Sequence, residues 1–243
     1  MNLERAEVET HHASAPPAPD SATLTEDLAL ASLKNRDLSS ETVEQIAANT
    51  GVMKSRKVRL ALAAHPRTPR RIALRLIRGL YTFDLVQFSR IPAAAADLKR
   101  AADELLVSRL TSITLGERIS LARRSSGLVA AALLLDKESR VWQAALENSR
   151  LTEAAVSKAV LRSHATSALV EAVCHHPKWS VRPEIRIALL RSEKTPLARA
   201  LDFARLLPLP LLRDILHSSR LPERVKAQLR NQMESRGSPR AEN

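Results

Sequence analysis

Aromatic residues are almost missing from this sequence: two Trp, one Tyr and three Phe make up 2% of its 243 residues. So sparse a set argues against a sheet-rich core, which draws on aromatic and β-branched alternation. A single cysteine, Cys174, excludes any intrachain disulfide and any zinc or iron–sulfur site held by several thiolates, and it fits a reducing compartment. The five glycines form no phosphate-cradling loop. Long hydrophobic runs are lacking too. The longest, Leu128 to Leu135, falls far short of the roughly 20 apolar residues that cross a bilayer, so no membrane association is expected. The opening residues Met1-Asn2-Leu3-Glu4-Arg5 lead into acids and polar groups, which argues against a secretory signal and makes the cytoplasm the expected location.

What is present divides the chain into three. Residues 1–22 mix charges with His11-His12 and Ala13-Ser14-Ala15-Pro16-Pro17-Ala18-Pro19, a composition that buries too little apolar surface to offset its ordering entropy, and a disordered arm is expected there. Residues 235–243, with Gly237 and Pro239, are expected to form a disordered tail. Residues 23–234 are rich in Ala, Leu and Arg, which favour helix, and an all-α domain follows. Its punctuation is frequent. Asn49-Thr50-Gly51 reads as a helix stop, Thr114-Leu-Gly-Glu117 as a capping box, and Thr68-Pro69 and Thr195-Pro196 as an N-cap followed by proline at the first helical position. Short helices are therefore expected.

Those short helices repeat. Val58-Arg-Leu-Ala-Leu-Ala-Ala-His-Pro-Arg-Thr-Pro69 aligns with Val141-Trp-Gln-Ala-Ala-Leu-Glu-Asn-Ser-Arg-Leu-Thr152, and Leu169-Val-Glu-Ala-Val-Cys-His-His-Pro-Lys-Trp-Ser180 fits the same frame. Ser149-Arg-Leu-Thr-Glu153 and Ser219-Arg-Leu-Pro-Glu223 differ at one position. A unit of about 28 residues, two short helices and a turn, cannot bury its apolar stripe alone and must stack on its neighbours. A right-handed α-solenoid is the expected architecture, with an irregular helical bundle as the alternative. The unit at 58–69, echoed in Arg186-Ile-Ala-Leu-Leu-Arg-Ser-Glu-Lys-Thr-Pro196, resembles the bacterial leucine-rich repeat variant class and its HEAT-like relatives. The resemblance extends over about residues 54–230 and implies a superhelix whose concave surface binds macromolecules. Some members of that class carry an N-terminal cysteine cluster with an iron–sulfur centre; here no such cysteines exist, and no cofactor is expected.

The clearest chemical anomaly is charge segregation. From Ile46 to Phe83 there is no acid, while Lys54, Arg56, Lys57, Arg59, Arg67, Arg70, Arg71, Arg75 and Arg78 supply most of a net charge of +12. Ile72, Leu76 and Leu80 at four-residue spacing should face a core, leaving Arg71, Arg75 and Arg78 as an exposed stripe roughly 10 Å long. Guanidinium groups so spaced can meet successive carboxylates or phosphates. A solvated face neutralised by another helix, or by an arm holding Glu4, Glu7, Glu9 and Asp20, is the alternative. Tyr81 follows the stripe and could stack or anchor, as could Trp179 beside Lys178 and Arg182; Phe83 and Phe88 are expected in the core, and Trp142 is placed either there or on the surface.

Catalytic patterns are wanting. Adjacent histidines in Cys174-His175-His176 point about 100° apart on a helix and lack the i, i+4 spacing of a shared metal, so a helix stop aligned with His65-Pro66 is expected. Ser125-Ser126-Gly127 lacks the strand of a nucleophile elbow, and His164 and His217 have no partner in a motif. HEAT-like solenoids include DNA glycosylases, and Asp84 with Tyr81 and Trp142 could imitate such a site, but no motif aligns. The expectation is a non-enzymatic scaffold binding a protein partner with an acidic surface, with nucleic-acid phosphates as the alternative ligand of the same cations.

Overall fold

A computed structural model describes residues 24–237. The arm expected at 1–22 lies outside the described residues, and so do residues 238–243 of the tail expected at 235–243, whose first three residues continue the last helix. Among the described residues fifteen α-helices follow one another: α1 (Glu26–Ser32), α2 (Ser40–Ala48), α3 (Arg56–Ala64), α4 (Arg70–Arg78), α5 (Thr82–Arg90), α6 (Ala96–Arg109), α7 (Leu115–Arg124), α8 (Gly127–Leu133), α9 (Ser139–Leu146), α10 (Glu153–Val160), α11 (Ser167–His175), α12 (Pro183–Arg191), α13 (Leu197–Arg205), α14 (Leu209–Ser218) and α15 (Glu223–Gly237). A 3-10 turn, Val52–Lys54, precedes α3. No strand occurs among the described residues, and the fold is all-α as the composition requires.

Hydroxyl side chains start these helices. Thr25, Ser39, Ser55, Thr114, Ser126, Thr152 and Thr166 each accept a hydrogen bond from the backbone N–H three residues ahead, satisfying one of the four donors a helix start leaves open. At Thr114 the bond is reciprocal, with Glu117 Oε2 accepting from Thr114 N at 2.9 Å, and these contacts hold the Glu117 carboxyl below its usual range. Two expected caps are different. Pro69 and Pro196 are the residues before α4 and α13, not their first residues, and Thr68 and Thr195 turn the other way. Each donates its hydroxyl at 2.6 Å to a carbonyl six residues back, Leu62 O and Leu189 O, and so closes the helix behind it. Each hydroxyl adds a second hydrogen bond to a helix-end carbonyl that already accepts from a backbone N–H, His65 N at Leu62 O and Ser192 N at Leu189 O.

Helix ends are the distinctive problem of this chain. Short helices leave four carbonyls open at each C-terminus, and the usual closure places a glycine or asparagine in the left-handed region just past the end. No described residue has a positive φ; Gly51, in the expected stop after α2, has φ −64°. Side chains from later in the chain act instead. Asn148 Nδ2 donates to Ala122 O at 2.8 Å and Ser125 O at 3.3 Å, the Trp179 indole N–H to Leu146 O at 2.9 Å, and Arg236 to Ala204 O and Leu207 O at 3.0 and 3.1 Å. Arg199 reaches Cys174 O and Arg220 reaches Leu161 O in the same way. Closing these helices with residues roughly 25–60 positions onward ties neighbouring elements together.

The described residues form two compact units, 24–80 with Pro92–Ala95, and Tyr81–Ile91 with 96–237. In the first, α1 packs on α3 and α3 on α4, and His65 Nε2 lies 2.9 Å from Asn35 O across that layer. In the second, α5 packs on α6, and alternate helices then meet: α6 with α8, α8 with α10, α10 with α12 and α12 with α14, while α7 meets α9 and α9 meets α11. The three aligned turns share a device. His65 Nδ1, Asn148 Oδ1 and His176 Nδ1 each accept a hydrogen bond from the N–H two residues on, Arg67, Arg150 and Lys178.

Cys174, on α11, is fully buried, and burial pushes its thiol up to about 12. The folded protein is therefore expected to resist a disulfide-exchange reagent at mildly alkaline pH, and denaturant is expected to release one reactive thiol per chain. A fast reaction in the absence of denaturant would show that α11 opens locally.

Candidate partner-docking surface

The basic segment runs through the 3-10 turn, α3 and α4 of the first unit. On α4, Ile72, Ala73, Leu76 and Ile77 are buried, with Leu80 just beyond, and Arg71, Arg75 and Arg78 are exposed. Both stripes fall where the spacing puts them, because one face of α4 packs against α3. Lys54, Arg56, Lys57, Arg67 and Arg70 are exposed or half-buried as well. Arg59 is half-buried on α3, and its Nε has no hydrogen-bond partner among the described residues.

Helix electrostatics separate these cations into two groups. Arg75 and Arg78 lie in the last turn of α4, where a positive charge complements the negative helix end. Arg56 and Lys57 open α3, and Arg70 and Arg71 open α4, without an acid in either first turn. A cation at a helix N-terminus opposes the dipole, at a cost of about 0.3–1 kcal/mol when exposed. The helix dipole gives these four side chains no stabilising role.

Arg71 and Arg75 project into a groove of about 480 Å³ between α2 and α4. Ala47, Ala48 and Ile72 contribute apolar surface there, and Glu44 of α2 adds a carboxylate to the same groove. The run without acids begins two residues after Glu44, so the placing of this acid in the same groove as the stripe is a product of the fold. Neither Arg71 nor Arg75 makes a side-chain hydrogen bond or ion pair among the described residues, and the same holds for Lys54 and Lys57.

The aromatic candidates separate. Tyr81, the residue before α5, is 60% exposed. Phe88 is in the core as expected, but Phe83, expected beside it, is 46% exposed. It lies in the first turn of α5, five residues before Phe88, and five residues on a helix turn through about 140°. Trp179 is no surface anchor: it is 2% exposed, its N–H holds the end of α9, and Lys178 Nζ lies 4.1 Å from its ring centroid. Trp142 and Asp84 are buried too, which removes them from any open groove. His176 is the residue that ends α11, with Nε2 3.1 Å from Glu147 Oε1, and no group of three metal-ligating side chains exists among the described residues.

Sequence reasoning missed a second set of arginines. A groove of about 240 Å³ lies between α5 and α7, lined by Phe83, Gln87, Arg90 and Arg124, and one of about 470 Å³ lies between α7 and α9, lined by Arg123, Arg140, Gln143 and Glu147. These arginines are interspersed with acids along the chain, so no charge run marks them. A larger groove of about 730 Å³ between α10 and α12 carries mixed charge from Glu153, Lys158, Arg162 and Glu184. No helix is long and apolar enough to cross a membrane among the described residues. No protein-family model, curated protein sequence or solved structure matches the chain.

Proposed function

We propose that the protein is a non-enzymatic, cytoplasmic interaction scaffold of the α-solenoid kind, related to HEAT-like and leucine-rich-repeat-variant proteins, which docks an acidic segment of a protein partner in the α2–α4 groove. Alternate-helix packing along the second unit supports the repeat architecture, since stacking each helix pair on the next buries the stripe that a single pair leaves open. The observation that carries the docking function is the composition of the groove. Two arginines without partners among the described residues flank an apolar patch of Ala47, Ala48 and Ile72. Carboxylates on either side of a small apolar side chain fit that arrangement, with bidentate pairs at Arg71 and Arg75 around an apolar centre. Glu44 adds a carboxylate that a peptide can meet with an amide or a lysine.

The test is a labelled peptide of alternating Glu and Leu, measured by fluorescence anisotropy against the folded chain. Replacing Arg71, Arg75 and Arg78 together with Gln is expected to weaken binding at least tenfold while leaving helical content and melting nearly unchanged, since all three are exposed. Equal affinity for the triple variant removes the stripe from the function. Loss of oligonucleotide binding in the same variant, with the peptide unaffected, assigns the stripe to phosphates instead.

A further inference from the structure

The geometry points to a second binding surface, on α5, α7 and α9, whose ligand is single-stranded nucleic acid. Helix α7 forms the ridge between two grooves. Arg124 and Ser120, four residues apart, face the groove shared with α5, and Arg123 and Ile119, also four apart, face the groove shared with α9. Each arginine meets a counterpart across its groove, Arg90 on α5 and Arg140 on α9. Two cationic pairs therefore lie side by side, separated by about the 8–10 Å that packed helices keep.

None of the four guanidinium groups hydrogen-bonds or pairs with an acid among the described residues, although Arg118, also on α7, is paired with Asp136 at 3.1 Å. Arg90, Arg123 and Arg124 sit at helix C-termini, where the dipole favours a cation, but Arg140 is the second residue of α9, where it does not. Glu147 is the sole acid lining either groove among the described residues, and it lies 3.1 Å from His176 Nε2. The surface is thus built for anions.

Phe83 decides which anion. Its ring is half exposed in the same groove as Arg90 and Arg124, beside the neutral polar side chain of Gln87. An acidic peptide has no use for an exposed aromatic face next to arginines. A nucleotide uses both, its phosphate on the guanidinium pair and its base stacked on the ring, with amides such as Gln87 and Gln143 left to meet base edges. A duplex keeps its base faces stacked inside and could offer these grooves its phosphates alone, so a single strand is the ligand that engages every group.

The test is anisotropy of a labelled oligo(dT) of about 15 nucleotides, titrated with the full chain from about 50 to about 200 mM salt. Wild-type protein is expected to bind the single strand more tightly than the matching duplex. Arg123→Gln with Arg124→Gln should reduce the slope of log affinity against log salt by about 1.4, at about 0.7 for each phosphate no longer neutralised. Phe83→Leu should weaken binding roughly tenfold without changing that slope. Arg140→Gln, on a different helix, gives an independent reading and should reduce the slope by about 0.7. The triple substitution on α4 should leave the slope unchanged, so this surface and the acidic-partner groove stand or fall separately. No binding at the lower salt, wild-type behaviour of the Phe83 and arginine variants, or equal competition by polyglutamate overturns the proposal.

Discussion

Trp179→Ala is expected to lower the free energy of unfolding by about 3–5 kcal/mol, the range for truncating a large buried aromatic. Three contributions act together. The indole is buried to 2% exposure, so its removal leaves a cavity between α9 and the turn before α12. Its N–H is the partner of Leu146 O, the last carbonyl of α9, which no local backbone donor replaces. The ring also carries the Lys178 ammonium at 4.1 Å. Trp179→Phe separates these effects: most of the packing stays, the carbonyl is orphaned, and the destabilisation should be about 1–3 kcal/mol. Urea unfolding followed by circular dichroism measures both. Near-neutral values for the pair would return Trp179 to the surface and revive it as a partner anchor.

Trp179 is ambiguous in the sequence because the group that holds it lies far away along the chain. Periodicity alone gives the buried stripe of α4 and its continuation, because Ile72, Leu76 and Leu80 follow the helix repeat and need no information beyond it. The capping signal of Thr114 with Glu117 is legible because both partners lie within four residues. Trp179 is held by Leu146, 33 residues earlier, and Thr68 and Thr195 serve the helix behind them and not the one ahead. Contacts of that kind depend on which turn lies beside which, and a single helix pattern does not contain them. Phe83 shows the same limit in reverse: its type argues for the core, and its angular position on α5 leaves it exposed.

The arginines make the point for function. Net charge is concentrated in the run at 54–78, yet charge alone does not distinguish a binding surface from structural use. Arg199, Arg220 and Arg236 are absorbed in closing helix ends, a role that follows from the lack of left-handed caps among the described residues. Arg90, Arg123, Arg124 and Arg140 have no such duty, and only folding brings them to adjacent grooves.

Gly127→Ala will show the cost of that tight interlocking. Gly127 is the first residue of α8, where alanine is the better helix former, and propensity by itself predicts a gain approaching about 1 kcal/mol. Geometry predicts the reverse. A Cβ on Gly127 would lie 2.3 Å from the backbone oxygen of Arg150, far inside contact distance. That backbone cannot easily withdraw: Arg150 N donates to Asn148 Oδ1 at 2.8 Å, Asn148 Nδ2 is bound to the end of α7, and Arg150 Nη1 reaches Arg124 O at 3.3 Å. Overpacking against a clamped backbone costs about 1–3 kcal/mol, which exceeds the propensity gain, so the variant should be less stable. Gly116→Ala is the matched control. Gly116 lies in the first turn of α7 with nothing within 4 Å of the added Cβ, and the same substitution there should stabilise by about 0.5–1 kcal/mol. Opposite signs in denaturant unfolding confirm that the 148–151 turn is locked onto the α7–α8 corner; two gains of similar size would mean that the turn yields and that the lock is not formed in solution.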